Sequence, residues 1–196
     1  MSQERIYITT TLPYVNADPH IGHAVEFIRA DIIARFQELS GSEVFFNTGT
    51  DEHGLKIFRA AEAQNKKPEE YVDEYAKKFK DLHFALGLMK EINFVRTTDK
   101  VHLRAAEEFW KRCQERGFID KKKYSAKYCV GCELEKTGSE LVNGRCTIHP
   151  NLELETIEEE NYFFKFSEFQ KKLLDFYDKN PGFVTPESRF KEIRSF

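Results

Sequence analysis

Leu12-Pro13-Tyr14-Val15-Asn16-Ala17-Asp18-Pro19-His20-Ile21-Gly22-His23 is the stretch whose reading decides the fold. Just upstream, Ile6 to Leu12 is rich in β-branched residues and reads as a buried strand. Downstream, Ile21, Ala24, Val25, Ile28, Ile32, Phe36 and Leu39 recur at helical spacing, and Gly41 stops the pattern. Asp18 followed by Pro19 reads as an N-cap with proline at the first helical position. His20 and His23 then share one face of the first turns. A helix N-terminus offers free N–H groups and a partial positive charge, so it attracts anions. Two imidazoles placed there make a phosphate grip. Taken by spacing alone, the pair also fits surface histidines or half of a metal site.

Val44 to Asn47 reads as a second strand, and Thr48 to Gly54 as a polar loop at its C-terminal end. Strand, helix and strand in succession form a βαβ unit, which implies a parallel sheet. In such sheets ligands gather beyond the carboxyl ends of the strands, where both polar loops lie. The dinucleotide fingerprint GxGxxG is absent from the sequence, which argues against a nicotinamide enzyme.

Further along, Leu55 to Gln64 reads as a short helix before Pro68. Glu69 to Leu86 follows with a seam of Val72, Tyr75, Phe79, Leu82 and Leu86, and His83 falls beside that seam as a packed or rim residue. Phe94 to Arg96 is a short strand, and Thr98 and Asp99 cap a helix from Lys100 to Arg116. The seam of that helix is Leu103, Ala106, Trp110 and Cys113, which makes Cys113 a core thiol. After Gly117 short alternating runs replace the long helical patterns, so a domain boundary is expected near residue 118. The second part holds a strand at Tyr162 to Phe166 and a helix at Glu168 to Lys179, with Ser167 as its cap and Phe169, Leu173, Phe176 and Tyr177 inward. One more helix starts at Thr185-Pro186. Lys121-Lys122-Lys123 and Glu158-Glu159-Glu160 are simplest as solvated loop or edge residues, with RNA contact by the lysines as the alternative.

Composition narrows the class. Hydrophobic residues make up 40% and charged residues 32%, which suits a soluble globular protein and argues against disorder. The net charge of −3 supplies no global basic field for nucleic acid, so any RNA contact must be local. No run is apolar enough to span a membrane, and Met1-Ser2-Gln3-Glu4-Arg5 lacks the apolar core of a signal peptide. The expected setting is the reducing cytoplasm, where four cysteines point to a metal site rather than disulfides.

Cys129-Val130-Gly131-Cys132 and Cys146-Thr147-Ile148-His149 carry that site. Each half is a C-x2-C or C-x2-H knuckle, and Asn143-Gly144 supplies a turn before the second. Three thiolates and one imidazole fill a tetrahedral zinc shell and leave no position open for water. The zinc is therefore expected to be structural, holding together a loop too polar to fold by itself. A disulfide or four free residues are the alternatives.

The run His20-Ile21-Gly22-His23 matches the signature of class I aminoacyl-tRNA synthetases. Together with Thr9-Thr10-Thr11-Leu12-Pro13-Tyr14-Val15-Asn16 and Thr48-Gly49-Thr50-Asp51-Glu52-His53-Gly54, it resembles the methionyl-tRNA synthetase family in its bacterial form. The resemblance covers this whole chain but only the N-terminal part of the family's protein. It implies an α/β fold: residues 1–117 as the first half of a Rossmann-like nucleotide-binding domain, then residues 118–196 as an inserted small α+β zinc-knuckle domain. It also implies activation of methionine by ATP, with Mg2+ in the ATP complex, and then charging of tRNA(Met). On the family pattern His20 and His23 contact the ATP phosphates and Gly22 lets the nucleotide approach the backbone. Asp51 holds the substrate ammonium group, and Leu12 and Tyr14 line the methionine pocket. Cys129, Cys132, Cys146 and His149 match a single zinc knuckle, although forms of the family with more cysteines exist. Read from the residues alone, Asp51 also fits a turn or capping residue, Tyr14 fits packing, and Glu52 and His53 either share the work of Asp51 or orient it.

The family's second phosphate-binding motif, a Lys-Met-Ser-Lys-Ser-like loop, and its anticodon-binding domain are not in this sequence. The expectation is thus an N-terminal piece, a truncated product or one half of a split enzyme, inactive until a C-terminal half is supplied. Its sheet edge is expected to be exposed and to favour association. The competing readings are a non-catalytic zinc-stapled module that binds RNA or a partner protein, and a class I synthetase for leucine, isoleucine, valine or cysteine. Synthetases for small apolar amino acids need a large editing insertion because apolar pockets discriminate weakly, and the insertion here is small.

Overall fold

The computed structural model describes residues 4–195, which divide into two compact units between Glu108 and Phe109. Unit one is built on three parallel strands, β1 (Arg5–Thr9), β2 (Glu43–Thr50) and β3 (Ile92–Arg96), in the order β1-β2-β3. Helix α1 (Ile21–Leu39) connects β1 to β2; α2 (Leu55–Ala63) and α3 (Pro68–Ala85) connect β2 to β3; α4 (Lys100–Glu115) follows β3. The expected βαβ unit and parallel sheet are therefore present, with polar loops at the C-terminal strand ends.

β2 continues through Thr48-Gly49-Thr50, which the sequence had suggested as loop. The reason is close packing: a Cβ on Gly49 would lie 1.7 Å from the Val95 carbonyl oxygen, so only glycine lets β3 pair there. β1 stops at Thr9, three residues before the expected end.

α3 buries Val72, Tyr75 and Phe79 as its periodicity requires, and adds Tyr71, Ala76 and His83. α1 behaves differently. Its buried face is Ala24, Phe27, Ala30, Asp31 and Ala34, so Ala24 is the one member of the expected seam that is buried. The alanines allow close approach to β2, where Ala30, Ala34, Phe46 and Met89 pack together. Phe27 joins Val15, Tyr71 and Phe79 in a second cluster. The larger residues Ile21, Ile32, Phe36 and Leu39 form an exposed apolar side, with Leu39 89% accessible. Asp31 is buried because it accepts from the Met89 amide (2.7 Å) and pairs with Arg35 (2.7 Å), which in turn donates to the Gly87 carbonyl.

α4 buries no residue, so its expected seam is not a core, and Cys113 is a half-buried free thiol. The units divide within this helix, nine residues before the expected boundary. Trp110 explains the shift: its indole packs edge-on against Tyr162, 5.2 Å between centroids, which ties the end of α4 to unit two.

Unit two is a three-stranded antiparallel sheet in the order β5-β4-β8, from β4 (Ile119–Cys129), β5 (Leu134–Lys136) and β8 (Glu155–Phe164). A small ribbon, β6 (Leu141–Val142) with β7 (Arg145–Cys146), and helices α5 (Gln170–Lys179) and α6 (Glu187–Arg194) complete it. The lysine and glutamate runs are not loops. They lie on the paired strands β4 and β8, offset so that Lys123 alone of the lysines faces a glutamate, Glu160, which Lys121 also approaches at 2.5 Å. A 3-10 turn (Phe166–Phe169) precedes α5, and Ser167 makes no cap because it lies inside that turn. α5 has no buried residue; Phe176 meets Phe183 and Tyr177 meets Phe190, while Phe169, just before the helix, stacks on Phe164.

His83 generates a prediction. It is 8% exposed, packed edge-on against Phe27 and Phe94, and its Nε2 has no hydrogen-bond partner. Burial pushes its pKa down to about 4. The unfolded chain then binds a proton below its ordinary value that the folded chain refuses. The contribution is complete above pH 6.5 and is lost as the pH falls towards 4. Between pH 7.5 and 5, hydrogen exchange in α3 should report about 2 kcal/mol more destabilisation in the wild type than in His83→Leu. Equal losses would contradict this account.

Candidate active site and metal centre

The first loop follows β1. The Asp51 amide donates to the Pro13 carbonyl (2.9 Å) and the Val15 amide donates to the Asp51 carbonyl (3.2 Å), so Tyr14 and Asp51 form an isolated parallel bridge. Sequence-predicted Tyr14 and Asp51 are thereby brought side by side, and Leu12, two residues before Tyr14, is half-buried. The Tyr14 hydroxyl lies against Gly54, where a Cβ would meet it at 2.0 Å. α3 supports the rest of the loop. Tyr71 donates to the Asn16 carbonyl (3.1 Å), and Lys78 pairs with Asp18 (2.8 Å), a contact that holds the lysine above its ordinary pKa.

The N-cap of α1 is His20, not Asp18. Asp18 is held by Lys78 instead, and the chain stays extended through His20. The Gly22 amide donates to His20 Nδ1 (3.1 Å), and the His20 amide donates to His23 Nδ1 (3.2 Å), which is a reciprocal cap made of two imidazoles. An Nδ1 that accepts is unprotonated, so each neutral ring carries its proton on Nε2. The rings stack with centroids 3.8 Å apart, and His23 also packs edge-on against Phe79. Burial and then the neighbouring His20 push the His23 pKa down, partly offset by Glu26. In this arrangement each ring offers an Nε2–H donor at the positive end of a helix. Gly22 has a role beyond open space: a Cβ there would lie 2.9 Å from His20 Cε1 and push the ring from its capping position.

Glu52 is separate from the chemistry proposed for Asp51. Its side chain is fully buried and accepts from Arg96 Nε (2.6 Å) and Nη2 (2.9 Å), Thr50 Oγ1 (2.6 Å) and Thr98 Oγ1 (2.5 Å). The same contact, with Asp73 adding to it, holds the Arg96 guanidinium above its ordinary pKa. His53 is exposed, with Nε2 3.3 Å from the Thr97 carbonyl. Sequence reading missed Arg96, Thr97 and Thr98. The available signal was an arginine at the end of a strand that must sit beside the strand carrying Asp51 and Glu52.

Cys129, Cys132, Cys146 and His149 come together in unit two, with their ligand atoms all within 4.8 Å of one another. Cys132 Sγ lies 3.5 Å from Cys146 Sγ and 3.1 Å from His149 Nδ1, and Cys129 Sγ lies 3.7 Å from the same nitrogen. The edge of a tetrahedron with metal–sulfur bonds of about 2.3 Å is about 3.8 Å, so this donor set could hold a metal ion. Burial pushes the Cys146 thiol up, but the His149 amide, the neighbouring thiols and the Ile148 amide bring it down overall, while burial and the thiols beside it push Cys132 up, so the packed thiols compete for one negative charge. A Cβ on Gly131 would lie 2.7 Å from the His149 ring, so that glycine makes room for the fourth donor.

The cap separates structure from chemistry at His20. His20→Ala should cost about 1 kcal/mol and raise hydrogen exchange at the Gly22 amide. His20→Asn, whose carbonyl can cap, should recover most of that loss. Failure of asparagine to recover it would mean that the imidazole cap does not hold the helix.

Comparisons with known proteins agree with this architecture. The family described as "tRNA synthetases class I (M)" matches residues 6–138. Methionine–tRNA ligase of Thermotoga maritima is 42% identical over 192 residues, 96% of this chain and 30% of that protein. The Nostoc sp. methionine–tRNA ligase is 43% identical over 196 residues, 100% of this chain and 37% of that protein. The chain thus spans about a third of the length of these relatives. Among solved structures, Mycobacterium tuberculosis methionyl-tRNA synthetase in complex with methionyl-adenylate superposes with a TM-score of 0.90 at 40% identity, covering 99% of this chain and 38% of that one. The LeuRS–tRNA–LeuAMS complex of Agrobacterium radiobacter K84, at 19% identity and a TM-score of 0.79, shares the fold alone. By its family match and by the arrangement of its strand-end loops, the chain belongs to the class I (M) tRNA synthetases.

Proposed function

We propose that this chain carries the methionine-activating segment of a methionine–tRNA ligase. The observation that carries the reading is the pairing of the Asp51 loop with the loop leading into the His20–His23 cap. The Mycobacterium tuberculosis methionyl-tRNA synthetase structure solved with methionyl-adenylate supports it. A carboxylate suits the substrate ammonium group, and Leu12 and Tyr14 give an apolar and polarisable wall suited to a thioether. Methionine's carboxylate oxygen attacks the α-phosphorus of ATP, the bond to the β-phosphate oxygen breaks, and pyrophosphate leaves. His20 and His23 donate Nε2–H to phosphate oxygens as charge develops there, with Mg2+ accompanying ATP. The protein supplies position and preorganised donors rather than covalent chemistry. The methionyl group then passes to the terminal adenosine of tRNA(Met), in the cytoplasm.

Residues 118–196 are proposed as the domain inserted into the nucleotide-binding fold. Its zinc is held by Cys129, Cys132, Cys146 and His149, and four protein donors leave it no open position, so its work is structural. The second phosphate-binding loop belongs to the part of the family that this chain does not span, supplied in the same or another polypeptide.

Labelled pyrophosphate exchange into ATP tests the reading. It is measured with the chain alone and with the remaining length of the Thermotoga maritima relative added as a second polypeptide. Exchange should follow methionine and not leucine, isoleucine, valine or cysteine. It should fall by about 100-fold in His20→Asn, the scale of losing one transition-state donor. Exchange with another of these amino acids, or with none in either mixture, would overturn it. For the metal, Cys132→Ser should lose zinc and leave residues 124–160 unprotected from hydrogen exchange while α1 keeps its protection. One stoichiometric zinc with unchanged melting would contradict the zinc assignment.

A further inference from the structure

Glu52 is 3% exposed, and every contact it makes lies within unit one. Its amide donates to Thr97 Oγ1 (2.8 Å), while its carboxylate takes the fork of Arg96 and the hydroxyls of Thr50 and Thr98. Arg96 Nη2 also reaches Asp73 Oδ1 of α3 at 2.7 Å. A buried ion pair rarely adds stability over an apolar pair of the same volume, so stability alone is a weak reason for this one. Its geometry offers another. Glu52 directly follows Asp51 just beyond β2, and its hydrogen bond from Thr50, two residues back, puts Thr50 and Glu52 on one side, so that extended-chain alternation places Asp51 on the other. Fixing Glu52 inward therefore fixes Asp51 outward. The backbone between them is already pinned by Pro13 and Val15 on one side and Thr97 on the other.

We infer that Glu52 and Arg96 form a positioning pair that sets the direction of the Asp51 carboxylate and thereby the site's preference for an amino acid carrying a free ammonium group. The inference rests on the reading of Asp51 given above. Arg96 is suited to the task because its planar fork fixes an angle, which a lysine ammonium does not. Asp73 extends the pair to α3, the helix that also holds the His20 loop through Lys78 and Tyr71. Both substrate loops are thus referred to one helix.

The test compares binding of methionine with binding of its analogue lacking the amino group, by calorimetric titration of the wild-type chain, Arg96→Lys, Glu52→Gln and Asp51→Asn. Hydrogen exchange at the Val15, Asp51 and Glu52 amides is followed in the same samples. In Arg96→Lys the preference for methionine over the analogue should fall about tenfold, with affinity for the analogue unchanged and exchange raised at those amides. Glu52→Gln, which keeps the shape, should fall less. A preference lost in Asp51→Asn but untouched in Arg96→Lys would overturn the positioning role and leave the role of Asp51 standing. A wild type with no preference, matched by Asp51→Asn, would overturn the role of Asp51 and this inference with it. Equal weakening of both ligands would mean that the pair only braces the fold.

Discussion

Two backbone hydrogen bonds, Asp51 N–H to Pro13 and Val15 N–H to Asp51, hold the ends of β1 and β2 in register beyond the regular sheet. Everything proposed for the site depends on them. They carry the loop of Tyr14 across to the loop of Asp51, and they set where the chain turns before entering α1. Thr10 and Thr48 extend the tie through their hydroxyls at 2.7 Å. Thr11 adds a further tie to α1, where both its amide and its hydroxyl donate to Glu26 at 2.7 Å. α3 then fixes the far side of the loop through Tyr71, Lys78 and Phe79.

The electrostatics follow the same division between holding and acting. The imidazoles spend Nδ1 on the helix cap and leave Nε2–H outward, so the groups that build the helix start also orient its donors. Stacking and burial favour the neutral state of His23, which donates a hydrogen bond without presenting a charge. Glu52 spends its whole carboxylate on Arg96 and the threonines, which leaves Asp51 as the neighbouring half-buried acid. Unit two applies the same logic to a metal: three thiols and an imidazole converge where β4 and β7 end, and Gly131 keeps the space clear.

Elements with one apolar face were legible in the sequence. α3 is the clearest, because charged residues mark its outer side and only one seam remains. α1 was misread because it is apolar on more than one side; periodicity placed the helix but chose the bulky residues over the alanines that sit on the sheet. The His20 cap was hidden because imidazole is not among the common capping groups, and Asp18-Pro19 imitated one. The convergence of Cys129, Cys132, Cys146 and His149 was legible because four donors in two short, paired spacings fold readily onto one point. The Glu52–Arg96 pair was not, since 44 residues separate its members and only the alignment of β2 with β3 brings them together. α4 misled for the reverse reason: it shows a helical seam, but none of its residues is buried.

The central claim is that the Asp51 loop and the His20–His23 cap form one site. Its most direct test is amide NMR of the chain titrated with a non-hydrolysable methionyl-adenylate analogue. One saturating transition should move the Val15, Gly22, His23 and Asp51 amides together, with a single dissociation constant. Movement of one loop without the other, or two separate transitions, would contradict a shared site.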